Sequence, residues 1–133
     1  MEDELKILVV DDEINLLRSM QKTLLRAGFD VETASGNPTA WALYQEAVED
    51  GEPFALVVVD LNMPDFDGNE AKYAGLALLE ALHKENPTLP VIVNSAWDEV
   101  ETAKLCIDKG AADYFVKGRS DEMLQKIKAV LRL

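Results

Sequence analysis

The sequence holds one cysteine and one histidine. Cys106 therefore has no partner for an internal disulfide, and neither residue type is plentiful enough to hold a soft metal. Positive charge is scarce too: 13 Lys and Arg stand against 25 Asp and Glu, a formal net charge of -12. That deficit argues against direct nucleic-acid binding, which relies on basic patches that neutralise phosphates, and suits a protein that binds cations or basic partners. Long apolar runs are missing; the longest, Phe54 to Val59, falls far short of the roughly 18 residues of a membrane span. The start, Met-Glu-Asp-Glu, is acidic where a signal peptide is basic. What remains is a chain with 48% hydrophobic and 29% charged residues, a composition that folds. A single soluble domain over residues 1–133 is expected, in the cytoplasm, with neither membrane nor nucleic acid as a partner.

Leu5 to Val10 is a short apolar, β-branched run that ends in Asp11, Asp12 and Glu13, the pattern of a buried strand. From Ile14 the spacing turns helical, through Leu17, Leu24 and Leu25, with Gly28 as the stop. Phe29 to Ala34 is a second strand. Asn37-Pro38 starts the next helix, with Asn37 as a cap and Trp41, Tyr44 and Val48 on one face. Phe54 to Asp60 is the third strand. Leu61 to Gly75, punctuated by Pro64, Gly68 and Gly75, reads as a loop with room for one short helical turn. Leu76, Leu79 and Leu82 mark a third helix that ends before Pro87, and Pro90 to Asn94 a fourth strand. Val100, Ala103 and Ile107 mark a fourth helix closed by Gly110. Asp113 to Val116 is the fifth strand, and Ser120 caps a last helix with Met123, Ile127 and Val130 on one face. Five strands, each followed by a helix, predict an α/β fold: a doubly wound parallel sheet with helices on both faces. Right-handed crossovers then bring the C-terminal ends of all strands to one edge, where such sheets bind ligands.

Asp11 and Asp12, Asp60, Ser95 and Lys117 meet at that edge. Three carboxylates in one cleft repel one another, and a hard divalent ion with oxygen ligands, Mg²⁺ or Mn²⁺, resolves the conflict. With Lys117 as a cation and Ser95 as a hydroxyl donor, the set provides what a phosphoryl group needs. No Gly-rich phosphate loop is present, so the simpler reading is that a carboxylate itself becomes phosphorylated.

The segments Ile7-Leu8-Val9-Val10-Asp11-Asp12-Glu13, Asp60-Leu61-Asn62-Met63-Pro64-Asp65-Phe66-Asp67-Gly68, Val93-Asn94-Ser95-Ala96 and Ala112-Asp113-Tyr114-Phe115-Val116-Lys117 resemble, in order and spacing, the receiver domain of two-component response regulators. The resemblance spans essentially the whole chain. It implies the flavodoxin-like strand order 2-1-3-4-5, an order for which a chemotaxis receiver is itself a standard example. It implies that Asp60 is the phosphoacceptor, serving a sensor histidine kinase, a phosphotransfer protein or a small phosphodonor. Asp12, Asp60 and the backbone carbonyl of Asn62 are implied as direct ligands of Mg²⁺ or Mn²⁺, with Asp11 acting through bound water. Ser95 matches the switch hydroxyl, Tyr114 the aromatic that follows it, and Lys117 the ammonium on the phosphate. Asn62 and Trp97 flank the approach of water and would set the lifetime of the phosphoryl group. A downstream effector or output domain would read the face of the fourth helix and fifth strand, and a homodimer through that face is a further implied partner.

Two features depart from the family. Gly118 stands where receivers carry a proline joined by a cis peptide, a bond that costs about 3 kcal/mol without proline, which leaves the isomer and the reach of Lys117 open. Asn69 to Gly75 is an insertion of about seven residues beside Asp60, expected to be accessory and dispensable for folding. Blander roles suit other residues: Asp65 and Asp67 shape the loop, His83 lies on the surface, Cys106 packs, and Trp41 and Tyr44 belong to the core. Two rival functions are weighed. A small phosphatase of the haloacid dehalogenase type uses an Asp-x-Asp motif after its first strand, where this chain has adjacent Asp11 and Asp12. An unphosphorylated receiver-like module typically lacks part of the acidic site, which is complete here. No output domain follows the last helix, so a stand-alone receiver and a piece of a longer regulator or hybrid kinase both stay open.

Overall fold

The computed structural model describes residues 5–61, 74–96 and 100–133. In chain order the elements are β1 (Lys6–Val10), α1 (Ile14–Arg26), β2 (Asp30–Ala34), α2 (Asn37–Glu49), β3 (Leu56–Asp60), α3 (Ala74–Glu85), β4 (Val91–Ser95), α4 (Val100–Asp108), β5 (Asp113–Val116) and α5 (Ser120–Leu131). The strands form one parallel sheet in the order β2-β1-β3-β4-β5. β3 lies at its centre and is buried along its whole length, as its unbroken Leu-Val-Val-Val run requires of a strand covered on both faces.

Alternation along the strands divides the core in two. Ile7 and Val9, Leu56 and Val58, Ile92 and Phe115 pack with Leu17, Met20 and Leu24 of α1 and Met123 and Ile127 of α5. Leu8 and Val10, Val57 and Val59, Val91 and Val93 and Tyr114 pack on the other side with residues of α2, α3 and α4. Cys106 is fully buried there, and burial pushes its thiol up to about 11, which makes it a packing residue with an inert thiol. No helix among the described residues is long and apolar enough to cross a membrane.

Several helix details differ from the expectation. In α1 the buried stripe is Leu17, Met20 and Leu24, while Ile14 and Leu25 are exposed; Ile14 opens the helix at the rim, beyond the layer that the sheet covers. Tyr44 of α2 is buried beside Ala40 and Ala47, Trp41 is half-buried, and Val48 is exposed. α4 turns Thr102 and Cys106 inward and leaves Val100 and Ile107 exposed. Neither Asn37 nor Ser120 caps its helix. Gly36 and Arg119 occupy the cap positions, and the amide of Asn37 instead crosses to the Ala74 carbonyl at 3.0 Å. His83 is half-buried, with its ring close against Gly110, and so is not a plain surface residue.

Helix α3 begins at Ala74, so the last two residues of the expected insertion belong to it, both of them buried. The Gly75 N–H donates to the Leu61 carbonyl at 2.9 Å, and a Cβ at Gly75 would fall 2.1 Å from the carbonyl oxygen of Asp60. The end of the segment thus packs directly on the backbone of β3 and belongs to α3, not to a loop. Asn69 to Tyr73 lie outside the described residues.

Candidate functional site

The rim lies at the C-terminal ends of the strands, where β1 and β3 send their chains to opposite faces of the sheet. Asp11 comes two residues after Val9, Asp60 two after Val58, Asn94 two after Ile92 and Lys117 two after Phe115. The strand period thus carries all four onto the side of α1 and α5. Asp11 and Asp60 are fully buried, whereas Asp12, one residue into the turn, is exposed. Carboxylate oxygens of Asp11, Asp12 and Asp60 all lie within 4.8 Å of one another.

Lys117 reaches across from β5. Its Nζ lies 2.9 Å from Asp60 Oδ2 and 3.6 Å from Asp11 Oδ1. Burial works to lower its pKa, but the hydrogen bond to Asp60 and the charges of Asp60, Asp11 and Asp12 outweigh burial and hold the ammonium above its ordinary value. Asp11 moves the other way from an ordinary site carboxylate. Burial raises its pKa, opposed by the Glu13 N–H, which donates to Oδ1 at 2.9 Å, and by the charge of Lys117. The charges are thus underneutralised by protein groups alone, and an all-oxygen set of three carboxylates fits a hard divalent cation.

All described peptide bonds are trans, and Gly118 has φ +86, a left-handed conformation that glycine adopts without strain. This turn delivers Lys117 to Asp60 with no proline, which answers the question left by the departure at that position. The Lys117 N–H also donates to the Ser95 carbonyl at 2.7 Å, so the ends of β4 and β5 are tied together at the site. Ser95 is fully buried, and Tyr114 is buried on the opposite side of the sheet, paired in register with Val93. Asn62 and Trp97, as well as Asp65 and Asp67, lie outside the described residues.

Asn94 has no role in the sequence reading. It is fully buried, and its Nδ2 donates to Asp11 Oδ2 at 3.2 Å. An Asn closing a strand looks like an ordinary turn signal, and only its register beside Asp60 reveals the contact.

The family model described as response regulator receiver domain matches residues 7–128. The transcriptional regulatory protein ZraR of Escherichia coli (strain K12) is 33% identical over 123 residues, 92% of this chain and 25% of that protein. The alkaline phosphatase synthesis transcriptional regulatory protein PhoP of Bacillus subtilis (strain 168) is 34% identical over 128 residues, 96% of this chain and 48% of that protein. The chain thus spans between a quarter and a half of the length of these relatives. Among solved structures, a CheY-like response regulator receiver domain protein from Methanospirillum hungatei JF-1 superposes with a TM-score of 0.80 at 30% identity, covering 98% of this chain and 95% of that one.

Proposed function

The chain belongs to the response regulator receiver domain family of two-component signalling, and from that premise we propose that Asp60 is its phosphoacceptor. The observation that carries this reading is the Lys117 ammonium 2.9 Å from a fully buried Asp60, beside two further carboxylates. Asp60 attacks the phosphohistidine of a sensor histidine kinase or phosphotransfer protein, or a small phosphodonor. The oxygen–phosphorus bond to Asp60 forms as the phosphorus–nitrogen bond of phosphohistidine breaks and the imidazole leaves, or as the phosphorus–oxygen bond of acetyl phosphate breaks and acetate leaves. Lys117 holds the phosphoryl oxygens. The family binds Mg²⁺ through its acidic cluster; here Asp12, Asp60 and the Asn62 carbonyl would hold Mg²⁺ or Mn²⁺ directly, with Asp11 acting through water. Once bound, that ion supplies the positive charge that lets an anionic phosphoryl group approach three carboxylates.

The Ser95 hydroxyl then turns to the phosphoryl group. Its backbone bond to Lys117 supports a joint movement of both residues. Tyr114 follows, and the face of α4 and β5 changes for an effector, an output domain or a second copy. The protein labels itself and loses the label, turning over no separate substrate, and it works in the cytoplasm. A generic aryl phosphate should therefore not be turned over; sustained turnover would favour the phosphatase reading. Incubation with acetyl phosphate should add one phosphoryl group with Mg²⁺ present and none in EDTA. A chain that stays unlabelled with Mg²⁺ contradicts the proposal.

Asn62 and Trp97 set the lifetime of the aspartyl phosphate in this reading. Asn62 can orient water, but the Trp97 ring has no acid or base function and hinders its approach. Phosphate loss after removal of the donor should be slow, and several-fold faster in Trp97→Ala. Equal decay rates would retire the shielding role and leave Trp97 as part of a partner surface.

A further inference from the structure

Asn94 occupies a fully buried position in β4, where its neighbours Ile92 and Val93 are apolar. Its Nδ2 donates to Asp11 Oδ2 at 3.2 Å and lies 3.7 Å from the Met20 sulfur. Its Oδ1 is buried and has no hydrogen-bond partner among the described residues. The orientation is fixed by chemistry, since the flipped amide would set its carbonyl oxygen against a carboxylate oxygen. An orphaned buried acceptor weakens a fold, and a valine in its place would avoid that weakness. What the amide does that valine cannot is hold the Asp11 carboxylate.

Asp11 is engaged on both oxygens, Oδ1 by the Glu13 N–H at 2.9 Å and Oδ2 by Asn94. A carboxylate gripped in this way is held in one rotamer. Mg²⁺ demands nearly octahedral geometry and keeps several of its waters, so a fixed acceptor beside its shell lowers the cost of binding. An amide is suited to the task because it donates without adding negative charge, as an acid would, or a competing cation, as a lysine would. We propose that Asn94 is a positioning residue for the divalent cation, fixing Asp11 through Nδ2. The inference rests on the reading of Asp11, Asp12 and Asp60 as the cation site.

The test is calorimetric titration with Mg²⁺ alone, without phosphodonor, together with thermal unfolding in EDTA. Asn94→Val should bind Mg²⁺ at least about 10-fold more weakly than the wild type, the usual size of an outer-shell effect. Its metal-free unfolding midpoint is measured alongside, because the variant removes the orphaned acceptor but also the Nδ2 donor to the buried Asp11 carboxylate, two changes of opposite sign. A purely structural residue leaves the Mg²⁺ affinity of the folded protein unchanged, whatever happens to the midpoint. Asn94→Ala removes the same amide with no added bulk and should lose affinity alike, which covers the case in which valine disturbs packing. A wild type that binds no Mg²⁺ overturns the cation site itself, and this inference with it. Equal binding by the wild type and both variants overturns the role of Asn94 alone.

Discussion

Lys117→Met is expected to slow labelling by acetyl phosphate about 100-fold or more, the size of effect seen when a preorganised charge is removed from a transfer site. Methionine keeps most of the apolar stem, so the loss reports on the ammonium. The same variant should be less stable without metal. Lys117 Nζ lies within 4.0 Å of two fully buried carboxylates, 2.9 Å from Asp60 and 3.6 Å from Asp11. Removing one partner of a buried ion pair leaves charge uncompensated and typically costs about 3–5 kcal/mol. In a domain of this size that lowers the unfolding midpoint by roughly 10–20 °C. Saturating Mg²⁺ should restore much of the loss, because the cation replaces the missing charge and binds only the folded chain. Scanning calorimetry in EDTA and in Mg²⁺ checks both statements. A midpoint unchanged in EDTA would show that the carboxylates do not depend on Lys117, and a normal labelling rate would remove it from the transfer site.

Gly75→Ala should damage fold and site together. A methyl group there would meet the Asp60 carbonyl oxygen at 2.1 Å, its carbonyl carbon at 2.9 Å and the Leu61 Cα at 2.9 Å. All three are backbone atoms of the central strand and its exit, so no side chain can swing aside. Overpacking of this kind costs about 1–3 kcal/mol and more where the backbone must shift. Here either α3 moves off the sheet or the end of β3 moves, and the second choice displaces the Asp60 carboxylate. The midpoint should fall by roughly 10 °C and labelling should drop at least about 10-fold. Gly118→Ala is the contrast. Open space surrounds that position, and the penalty is confined to its φ of +86, about 1–2 kcal/mol. If Gly75→Ala unfolds and labels like the wild type, the close approach of α3 to Asp60 is wrong.

The strands were legible because each is a short β-branched run ending in polar residues, a pattern that survives any packing detail. The acids were legible for the same reason: Asp11 and Asp60 each stand directly at the end of such a run, and the β-α repeat alone sends them to one rim. Helix faces were harder to read. Met20 joins Leu17 and Leu24 in the buried stripe of α1, while Leu25, about 100° round the helix from Leu24, faces outward and Ile14 lies at the rim; which of several apolar residues faces the sheet is set by packing. Asn37 has the local signature of a cap yet cross-links to α3, since its partner, the backbone carbonyl of Ala74, lies 37 residues on and leaves no local signal. Gly75 looked like loop punctuation for the same reason. Its absent side chain matters only once α3 is set against β3. Asn94 carries no signal in the sequence, because an amide at a strand end is ordinary until its neighbour in register is known.

The central claim is that one carboxylate, Asp60, takes the phosphoryl group. Borohydride reduction of the acetyl phosphate-treated protein converts an aspartyl phosphate to homoserine, and tandem mass spectrometry then locates the altered residue. The expected result is conversion at Asp60 alone, dependent on Mg²⁺ and abolished in Asp60→Ala, with Asp11 and Asp12 intact. Conversion at Asp11 or Asp12, or labelling that persists in Asp60→Ala, would contradict the account.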